Sequence, residues 1–462
     1  MPEHAMPSRR DVLAAGVGLL AAGGLARAQS TPTGPSTPTA APKGKAKNVI
    51  FMVADGMSMG TFTLADTAIT RRTGRGSAWA RLWDDPRARR SMMATRSLDS
   101  LVTDSAAAGS TWGCGRRINN GEINWHDGEE FEPILVSAHN AGKATGLVTT
   151  TRVTHATPAS FIANVPDRNM EDEIARQILD RRVDVVLGGG AKYVTPELLA
   201  EHPDIRAVRT AEELFTSGKH EGRLVGVFSK GHMSYELDRE AIEPHIKDMA
   251  MFAIDRLSQH PGGFVMQIEG GRVDHGGHAN DFPASLHDMM AFDLTVGAVT
   301  QWASRRDDTL VIITTDHGNG NPDLTVYGER SLKGFETLLG AGHTLTWITE
   351  RVQQGERDAW PTRLHDMIAE HAGVELSEDE VDWAMRPLRG DRVNGFDEAN
   401  LFVCALGAVM ANHFGVAYIS HNHTSEHVEA TACGPGAETL PTRIDNTFLH
   451  GLMTQALGLP VG

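Results

Sequence analysis

Five short apolar runs constrain the fold of this chain most strongly, because they are apolar at consecutive positions rather than at alternate ones. A strand that is apolar on both faces must be covered on both sides, as in a parallel sheet packed between two layers of helices. Helical patterns separate the runs along the chain, so we expect an α/β fold with an open, mostly parallel sheet between helices. The predicted strands are Asn48–Ala54, Ala144–Thr150, Val183–Leu187, Phe264–Ile268 and Thr309–Thr315, and the predicted helices include Met170–Arg182, Asp238–Gln259 and Ala284–Arg305.

Length and composition limit what such a sheet can belong to. The 462 residues are enough for one large domain or for two to three ordinary ones. With 43 Lys and Arg against 59 Asp and Glu, the formal charge is −16, which argues against a nucleic-acid partner. Three Cys are too few for a disulfide framework, whereas 21 His offer many potential metal ligands.

The first residues of the chain are typical of an export signal. Arg9 and Arg10 precede an apolar run, Val12–Leu25, that ends at the small-residue cleavage pattern Ala26-Arg27-Ala28. The run is shorter than the roughly 20 residues that span a bilayer, so residues 1–28 are predicted to be a removable signal peptide of the twin-arginine type. An ordinary secretory signal and an uncleaved anchor are the alternatives. We therefore expect a periplasmic or secreted protein with no membrane span in its mature form.

The remaining chain divides by composition. Residues 29–47 are rich in Pro, Thr and Ser and are predicted to form a disordered linker. One folded domain is expected to cover residues 48–462. Within it, residues 318–420 show no strand–helix rhythm and are interpreted as a large insertion, or cap, laid over the sheet; a second independent domain is the alternative.

Acidic residues and histidines stand where the predicted strands end. In open α/β sheets, ligands bind at the carboxyl ends of the strands. A single Asp after a strand is usually a turn former, but three strand ends here carry metal-type ligands, and converging carboxylates repel one another unless cations lie among them. With a later His, the set is too large for one tetrahedral zinc and suits two transition-metal ions plus a harder ion. The candidate ligands are Asp55, Glu269, Asp274, His278, Asp316 and His317.

Ser105 is a candidate nucleophile. It stands in Thr103-Asp104-Ser105-Ala106-Ala107-Ala108, at the predicted start of a helix of small residues. The free amides at a helix N-terminus attract an anion, and small side chains leave room for one. The alternative is that the Asp-Ser pair only caps the helix.

These motifs together resemble those of the alkaline phosphatase family, and their order along the chain is the same. The resemblance covers roughly Lys47–Pro322 and Ser420–Leu459, and it implies the three-layer α/β sandwich of that family. The motifs that carry it are Val53-Ala54-Asp55-Gly56-Met57, Thr103 to Ala108, Glu269-Gly270-Gly271-Arg272-Val273-Asp274-His275-Gly276-Gly277-His278 and Thr315-Asp316-His317-Gly318.

The resemblance implies a role for each residue at the two zinc sites. Ser105 is similar to the serine that becomes phosphorylated. Asp55 resembles the carboxylate that bridges one zinc and the magnesium, and Asp316 and His317 resemble the other ligands of that zinc. The second zinc would be held by Asp274, His278 and His423, with His421 and His427 as rivals of His423 in the same segment.

Further residues are implied around the third ion and the phosphate. Glu269 and Thr157 resemble magnesium ligands, and His155 stands where some members have Asp near this ion, so the ion could be magnesium, zinc or another. Arg168 resembles the arginine that clamps the phosphate, with Arg116 and Arg117 as fallback candidates. His275 stands where some members have Lys near the phosphate, and Arg168 and His275 are therefore expected to bind it together with Ser105.

The implied activity is hydrolysis of small-molecule phosphate monoesters, in two in-line steps through a phosphoserine, by an enzyme holding two Zn²⁺ and one Mg²⁺. The family also implies a possible homodimer. The alternatives are a phosphodiesterase or sulfatase of the related bimetal fold, and a non-catalytic periplasmic protein that binds phosphate or metal.

Overall fold

A computed structural model describes residues 46–218, 222–393 and 401–460 of the chain. The predicted signal peptide, residues 1–28, lies outside the described residues. Of the predicted linker, residues 29–47, only Ala46 and Lys47 are described. Their N–H groups donate to the carbonyl oxygens of Ala456 and Asp308, at 3.0 and 2.7 Å, so these two residues already belong to the folded part.

Among the described residues, ten strands form one large sheet, and six strands of two residues each form three small pairs. In chain order the strands are β1 (Asn48–Val53), β2 (Ala88–Ala94), β3 (Trp125–His126), β4 (Glu129–Glu130), β5 (Ala144–Arg152), β6 (Val185–Gly189), β7 (Ile205–Val208), β8 (Arg223–Val227), β9 (Phe264–Glu269), β10 (Thr309–Thr314), β11 (Gly318–Asn319), β12 (Asp323–Leu324), β13 (Val416–Ala417), β14 (His423–Thr424), β15 (Val428–Cys433) and β16 (Arg443–Asp445). The five predicted strands correspond to β1, β5, β6, β9 and β10, with ends that differ by one or two residues.

Ten of the described strands form one sheet in the order β16-β2-β15-β10-β1-β9-β5-β6-β8-β7. The five strands predicted from apolar runs are neighbours in its centre, β10-β1-β9-β5-β6, and all pair in parallel. The sheet becomes antiparallel only around β15, which pairs in that sense with β10 and β2. The predicted α/β class with an open, mostly parallel sheet is confirmed.

The α-helices of the described residues cover both faces of this sheet. They are Met59–Thr73, Ala78–Leu82, Ser105–Gly113, Ile134–Asn140, Ala156–Ala159, Glu171–Asp180, Pro196–Ala200, Ala211–Thr216, Ile246–Leu257, Arg272–His278, Phe282–Ala303, Glu329–Leu339, Leu345–Val352, Trp360–Ala372, Glu378–Ala384, Phe402–Phe414 and Phe448–Leu457. None of these helices is long and apolar enough to cross a membrane.

Successive residues of β1 enter two different hydrophobic cores. Val49, Phe51 and Val53 pack into one core, together with the helices Ser105–Gly113 and Phe448–Leu457. Ile50 and Met52 pack into the other, with the helices Ile246–Leu257 and Phe282–Ala303. Because side chains alternate across a strand, a strand with a helix layer on each side must be apolar at every position. This explains the continuous apolar runs in the sequence.

Residues 318–420 contain five of the helices, from Glu329–Leu339 to Phe402–Phe414. The chain enters and leaves this segment through two small antiparallel pairs, β11 with β14 and β12 with β13. Many buried apolar side chains of the segment belong to the same core as the helix Phe282–Ala303, for example Leu338, Ile348, Leu364 and Met410. The segment therefore packs on one helix layer of the sheet, and the lack of a strand–helix rhythm reflects a run of helices.

The helix Ser105–Gly113 lies against the segment 156–160 at a distance that only small residues allow. A Cβ atom on Gly109 would lie 2.4 Å from Ser160 Oγ, and one on Gly113 would lie 1.9 Å from the Ser160 carbonyl oxygen. Both distances are shorter than any real contact of a Cβ atom, so the two glycines fix how closely the segments approach. One segment carries Ser105 and the other carries Thr157.

We predict that Gly113→Ala destabilises the protein by about 1–3 kcal/mol or more, because the added methyl group meets backbone that has no room to move. The control is Gly451→Ala, inside the helix Phe448–Leu457, where nothing lies within 4 Å of the added atom. That change should be neutral or stabilising by up to about 1 kcal/mol, since Ala favours a helix more than Gly does. Thermal unfolding of both variants measures the difference, and equal midpoints would contradict the close contact.

Candidate metal centre and active site

Three neighbouring strands of the sheet end in the candidate ligands. Asp316 and His317 follow β10, Asp55 follows β1, and Glu269 is the last residue of β9. Because β10, β1 and β9 are parallel neighbours, their carboxyl ends lie at one edge of the sheet, as expected for an α/β ligand site. The next strand, β5, leads at the same edge into His155 and Thr157.

The first cluster consists of Asp55, Asp316 and His317, with Ser105 beside it. His317 Nε2 lies 3.1 Å from Asp316 Oδ2, 3.8 Å from Asp55 Oδ1 and 3.4 Å from Ser105 Oγ. The other oxygen of Asp316 accepts the backbone N–H groups of Gly56 and His317, both at 3.0 Å. These bonds leave Asp316 Oδ2 facing the cluster.

This arrangement differs from a serine–histidine–aspartate triad. In a triad the carboxylate binds one imidazole nitrogen and the serine the other, whereas here Ser105, Asp316 and Asp55 all face His317 Nε2. A single N–H can satisfy only one of three oxygens, and neither Asp55 Oδ1 nor Asp316 Oδ2 has a hydrogen-bond partner although both are buried. Two unpartnered carboxylate oxygens that converge on an imidazole nitrogen fit a cation bound among them.

The second cluster consists of Asp274, His278 and His423. The two Nε2 atoms of the histidines are 3.0 Å apart, and they lie 3.3 and 3.6 Å from the Asp274 carboxylate oxygens. Of the two rivals of His423, His421 contributes its carbonyl oxygen, which accepts from His278 Nδ1 at 2.7 Å. His427 is exposed and belongs to none of the clusters found among the described residues.

Backbone carbonyls set the tautomers of the two histidines. His278 Nδ1 donates to His421, and His423 Nδ1 donates to the Thr103 carbonyl at 2.9 Å. Each neutral imidazole therefore turns an Nε2 lone pair toward the other, as in histidines that bind a metal through Nε2. In the metal-free protein, burial lowers the pKa of His278 but the Asp274 carboxylate outweighs it and raises this pKa to about 9. Without a metal, protonated His278 therefore offsets the negative charge of Asp274.

The third cluster consists of Asp55, His155 and Glu269. Thr157 Oγ1 donates to Asp55 Oδ2 at 3.2 Å, so the two oxygens of Asp55 face different clusters. His155 Nδ1 lies 4.0 Å from Glu269 Oε1. Carboxylate and hydroxyl oxygens are the ligands that a hard cation such as magnesium prefers.

Two threonines of β5 orient Glu269. The hydroxyl groups of Thr149 and Thr151 both donate to Glu269 Oε2, whereas Glu269 Oε1 is buried without a hydrogen-bond partner. Burial raises the pKa of Glu269 to about 7, and these hydrogen bonds moderate the rise. One oxygen is therefore fixed by the protein and the other is left for a cation.

Four carboxylates, those of Asp55, Glu269, Asp274 and Asp316, lie in these clusters, and each residue is at most 4% exposed. Burial, and then repulsion from Asp316, Asp274 and Glu269, raises the pKa of Asp55 well above its usual range. Such charges are costly to bury unless cations or protons offset them. The donor set, with its unpartnered oxygens, fits divalent cations.

The start of the helix Ser105–Gly113 contains both a helix cap and a serine that faces the first cluster. Asp104 is the N-cap, and its Oδ1 accepts the N–H of Ala107 at 2.9 Å. Its Oδ2 accepts from Arg168 Nη1 at 2.9 Å. Ser105 is the first residue of the helix, is 2% exposed, and faces His317. Asp104 is thus the cap, which leaves the Ser105 hydroxyl free to face the first cluster.

Arg168 lies beside the clusters, whereas the two fallback arginines lie elsewhere. Arg168 Nη2 contacts His155 Nε2 at 3.1 Å. Arg117 is bound to Asp445 and to the Arg96 carbonyl. Arg116 lies over the ring of Phe131, 5.1 Å from its centroid. Of the three arginines, only Arg168 touches a residue of the metal clusters.

His275 lies next to the third cluster and has a neighbour that the sequence did not reveal. Its ring centroid is 5.6 Å from that of His155 and 4.2 Å from that of His232. His232 was missed because it follows β8, a strand that was not predicted. Asn319 was missed as well, although it stands two residues after His317; its Nδ2 donates to Asp274 Oδ1 at 2.7 Å.

An α/β sheet with three clusters of carboxylates and histidines at its carboxyl edge is typical of metal-dependent hydrolases. Comparison with known proteins narrows this class. The profile of the family described as alkaline phosphatase matches residues 46–459. The chain therefore belongs to the alkaline phosphatase family, as the motifs indicated; this is a family of metal-dependent enzymes that hydrolyse small phosphate monoesters.

Individual relatives agree over most of the chain. Alkaline phosphatase 4 of Bacillus subtilis (strain 168) is 29% identical over 445 residues, which is 94% of this chain and 93% of the relative. The tissue-nonspecific alkaline phosphatase of Homo sapiens is 30% identical over 332 residues, covering 59% of this chain and 63% of the relative. The crystal structure of Thermus thermophilus alkaline phosphatase superposes with a TM-score of 0.84 at 34% identity, over 90% of this chain and 92% of that one.

We predict that His423→Ala binds about one zinc ion fewer per chain than the wild type, because only Asp274 and His278 then remain in the second cluster. His427→Ala is the matched control, since it removes an exposed imidazole from the same segment and should leave metal content unchanged. Metal analysis after reloading with zinc and magnesium gives the comparison. Full zinc content in His423→Ala, or loss in His427→Ala, would show that the ligand was assigned wrongly.

Proposed function

We propose that this protein hydrolyses phosphate monoesters through a phosphoserine on Ser105. The observation that carries the proposal is the convergence of Ser105 Oγ and two unpartnered carboxylate oxygens on His317 Nε2. This arrangement places a hydroxyl nucleophile beside a position for a cation. If Ser105 served only to cap the helix, it would not need to face these oxygens.

Three ions are assigned to the three clusters by their chemistry. Asp316, His317 and Asp55 would hold one zinc, and Asp274, His278 and His423 the other, because nitrogen and oxygen donors suit zinc. Asp55, Thr157 and Glu269 would hold magnesium, with His155 beside it. When bound, the ions would supply Lewis-acid chemistry, lowering the pKa of hydroxyl groups and offsetting charge on the leaving oxygen.

The chain's own residues perform two displacements at phosphorus. Ser105 Oγ loses its proton to solvent and forms a bond to phosphorus while the ester P–O bond breaks; the leaving oxygen takes up a proton from solvent and departs as the alcohol. Water then forms a new P–O bond while the Ser105 O–P bond breaks, which restores the serine and releases phosphate. Through both steps the Arg168 guanidinium can bind two phosphate oxygens in parallel, while Asp104 holds it in place.

We predict that Ser105→Ala lowers turnover of a model monoester by a factor on the order of 10³ or more while zinc content stays unchanged. Ser110→Ala is the control in the same helix. The Ser110 hydroxyl donates to the Ala106 carbonyl and accepts from the Asn124 N–H, away from the clusters, so this variant should lose stability but keep most of its turnover. Wild-type turnover by Ser105→Ala would exclude the phosphoserine route.

A phosphodiesterase or sulfatase of the same fold remains the alternative. Arg168 favours a monoesterase over a phosphodiesterase, because a phosphate monoester presents one more unsubstituted oxygen than a diester for a guanidinium to bind. We therefore expect a higher kcat/KM for an aryl phosphate monoester than for the matching diester or sulfate, measured on one preparation of wild-type protein. A preference for the diester or sulfate would favour the alternative, and no turnover of any ester would favour a binding protein.

Export and assembly complete the proposal. Arg9 and Arg10 before an apolar run support a twin-arginine signal that ends at Ala28, and hence a periplasmic or secreted enzyme that folds around its metals before export. An N-terminus at Gln29 in exported protein would support this site, and retention of the signal would contradict it. The family also implies a homodimer, which sedimentation velocity tests.

A further inference from the structure

Arg272 is a cation that the proposed mechanism does not use. It is the first residue of the helix Arg272–His278, which also carries Asp274 and His278. Among the described residues no carboxylate lies within ion-pair distance of its guanidinium. The guanidinium instead lies 3.7 Å from the centroid of the Tyr235 ring, and its buried Nε has no hydrogen-bond partner.

The directed contact of Arg272 is with His275. Arg272 Nη1 lies 2.8 Å from His275 Nδ1, a normal hydrogen-bond distance. A guanidinium can only donate, and it stays protonated in proteins. Nδ1 of His275 must therefore carry the lone pair, which leaves the ring hydrogen on Nε2.

We propose that Arg272 is a positioning residue that holds His275 with an Nε2–H donor for the substrate phosphate. The inference rests on the proposed function, because it needs a phosphate beside His275. Phosphate oxygens accept hydrogen bonds, so an Nε2–H group attracts them, whereas a lone pair on Nε2 would repel them. Arg272 thus acts on phosphate through His275.

His155 and His232 surround the ring of His275, with centroids 5.6 and 4.2 Å away. These neighbours limit how far the ring can turn, but among the described residues neither of them forms a hydrogen bond with a ring nitrogen of His275. The contact that selects the tautomer is the one with Arg272. The role assigned to Arg272 is therefore distinct from the role of the side chains that pack against His275.

The test uses the full-length enzyme loaded with zinc and magnesium, and compares Arg272→Met with Arg272→Lys. The Met side chain keeps the apolar stem over Tyr235 but has no hydrogen-bond donor. The Lys ammonium group, like the guanidinium, can donate hydrogen bonds but cannot accept them. Arg272→Met should raise the inhibition constant of inorganic phosphate by about 3- to 10-fold, the loss expected for one hydrogen bond. Arg272→Lys should recover most of this loss, and zinc content should be unchanged in both variants.

A double-mutant cycle with His275→Ala separates action through His275 from a general charge effect. If Arg272 acts through His275, Arg272→Met has no further effect once His275 is absent. An equal effect of Arg272→Met in both backgrounds would overturn the proposal, because the arginine would then act on phosphate by itself.

Nitrogen NMR of protein labelled with ¹⁵N-histidine gives a readout that does not depend on activity. The signals of His275, assigned by their loss in His275→Ala, should show a protonated Nε2 and an unprotonated Nδ1 in the wild type, and a mixture of tautomers in Arg272→Met. A protonated Nδ1 in the wild type would overturn the proposal. Wild-type protein that hydrolyses no monoester would instead refute the proposed function, while these spectra still report on the Arg272–His275 pair.

Discussion

Mutual repulsion of buried carboxylates is the constraint on which the rest of this site depends. The parallel sheet brings Asp316, Asp55 and Glu269 to one edge, and the helix after β9 adds Asp274. Four such groups with almost no exposure to water cannot all stay ionised without positive charge among them. Protonation of His278 offsets only part of this charge. Hydrogen bonds from the protein orient one oxygen of each carboxylate and leave the other facing its cluster. A fold that buries this much like charge is organised for cations.

Helix packing places Ser105, the proposed nucleophile, at the same carboxyl edge of the sheet. Gly109 and Gly113 let the helix of Ser105 approach the segment that carries Thr157. Asp104 caps this helix and holds Arg168, and the Thr103 carbonyl fixes the tautomer of His423. Ser105 therefore lies in a short stretch of backbone, residues 103–105, that also contacts Arg168 and His423. A change in that stretch should affect all three, which is why substitutions there need matched controls.

The central strands and the ligands could be predicted because both follow from local rules. Continuous apolarity marks a strand covered on both faces, and the edge where parallel strands end is where ligands collect. The strand β2 escaped prediction because Arg89 and Arg90 interrupt it and several of its side chains are exposed. The helices within residues 318–420 are short and follow one another without strands, so no alternating pattern marks them.

Long-range side-chain contacts that lie outside the strand-end motifs could not be predicted from the sequence. Asn319 donates to Asp274 across 45 positions, and Arg152 contacts His232 across 80. No local sequence pattern relates residues at these separations, because only the fold brings the two members of each pair together. The Arg272–His275 contact spans three residues on one helix, a spacing that is common on helices, and its direction became clear only from the donor and acceptor atoms.

Anomalous diffraction at the zinc absorption edge, from crystals of the enzyme loaded with zinc and magnesium, locates the zinc ions directly. We expect two strong peaks per chain, one among Asp55, Asp316 and His317 and the other among Asp274, His278 and His423. Density beside Glu269 and Thr157 should be present but lack the zinc signal if that ion is magnesium. The absence of ions from the first two clusters, or zinc bound elsewhere in the chain, would contradict the claim that these buried carboxylates exist to hold metal.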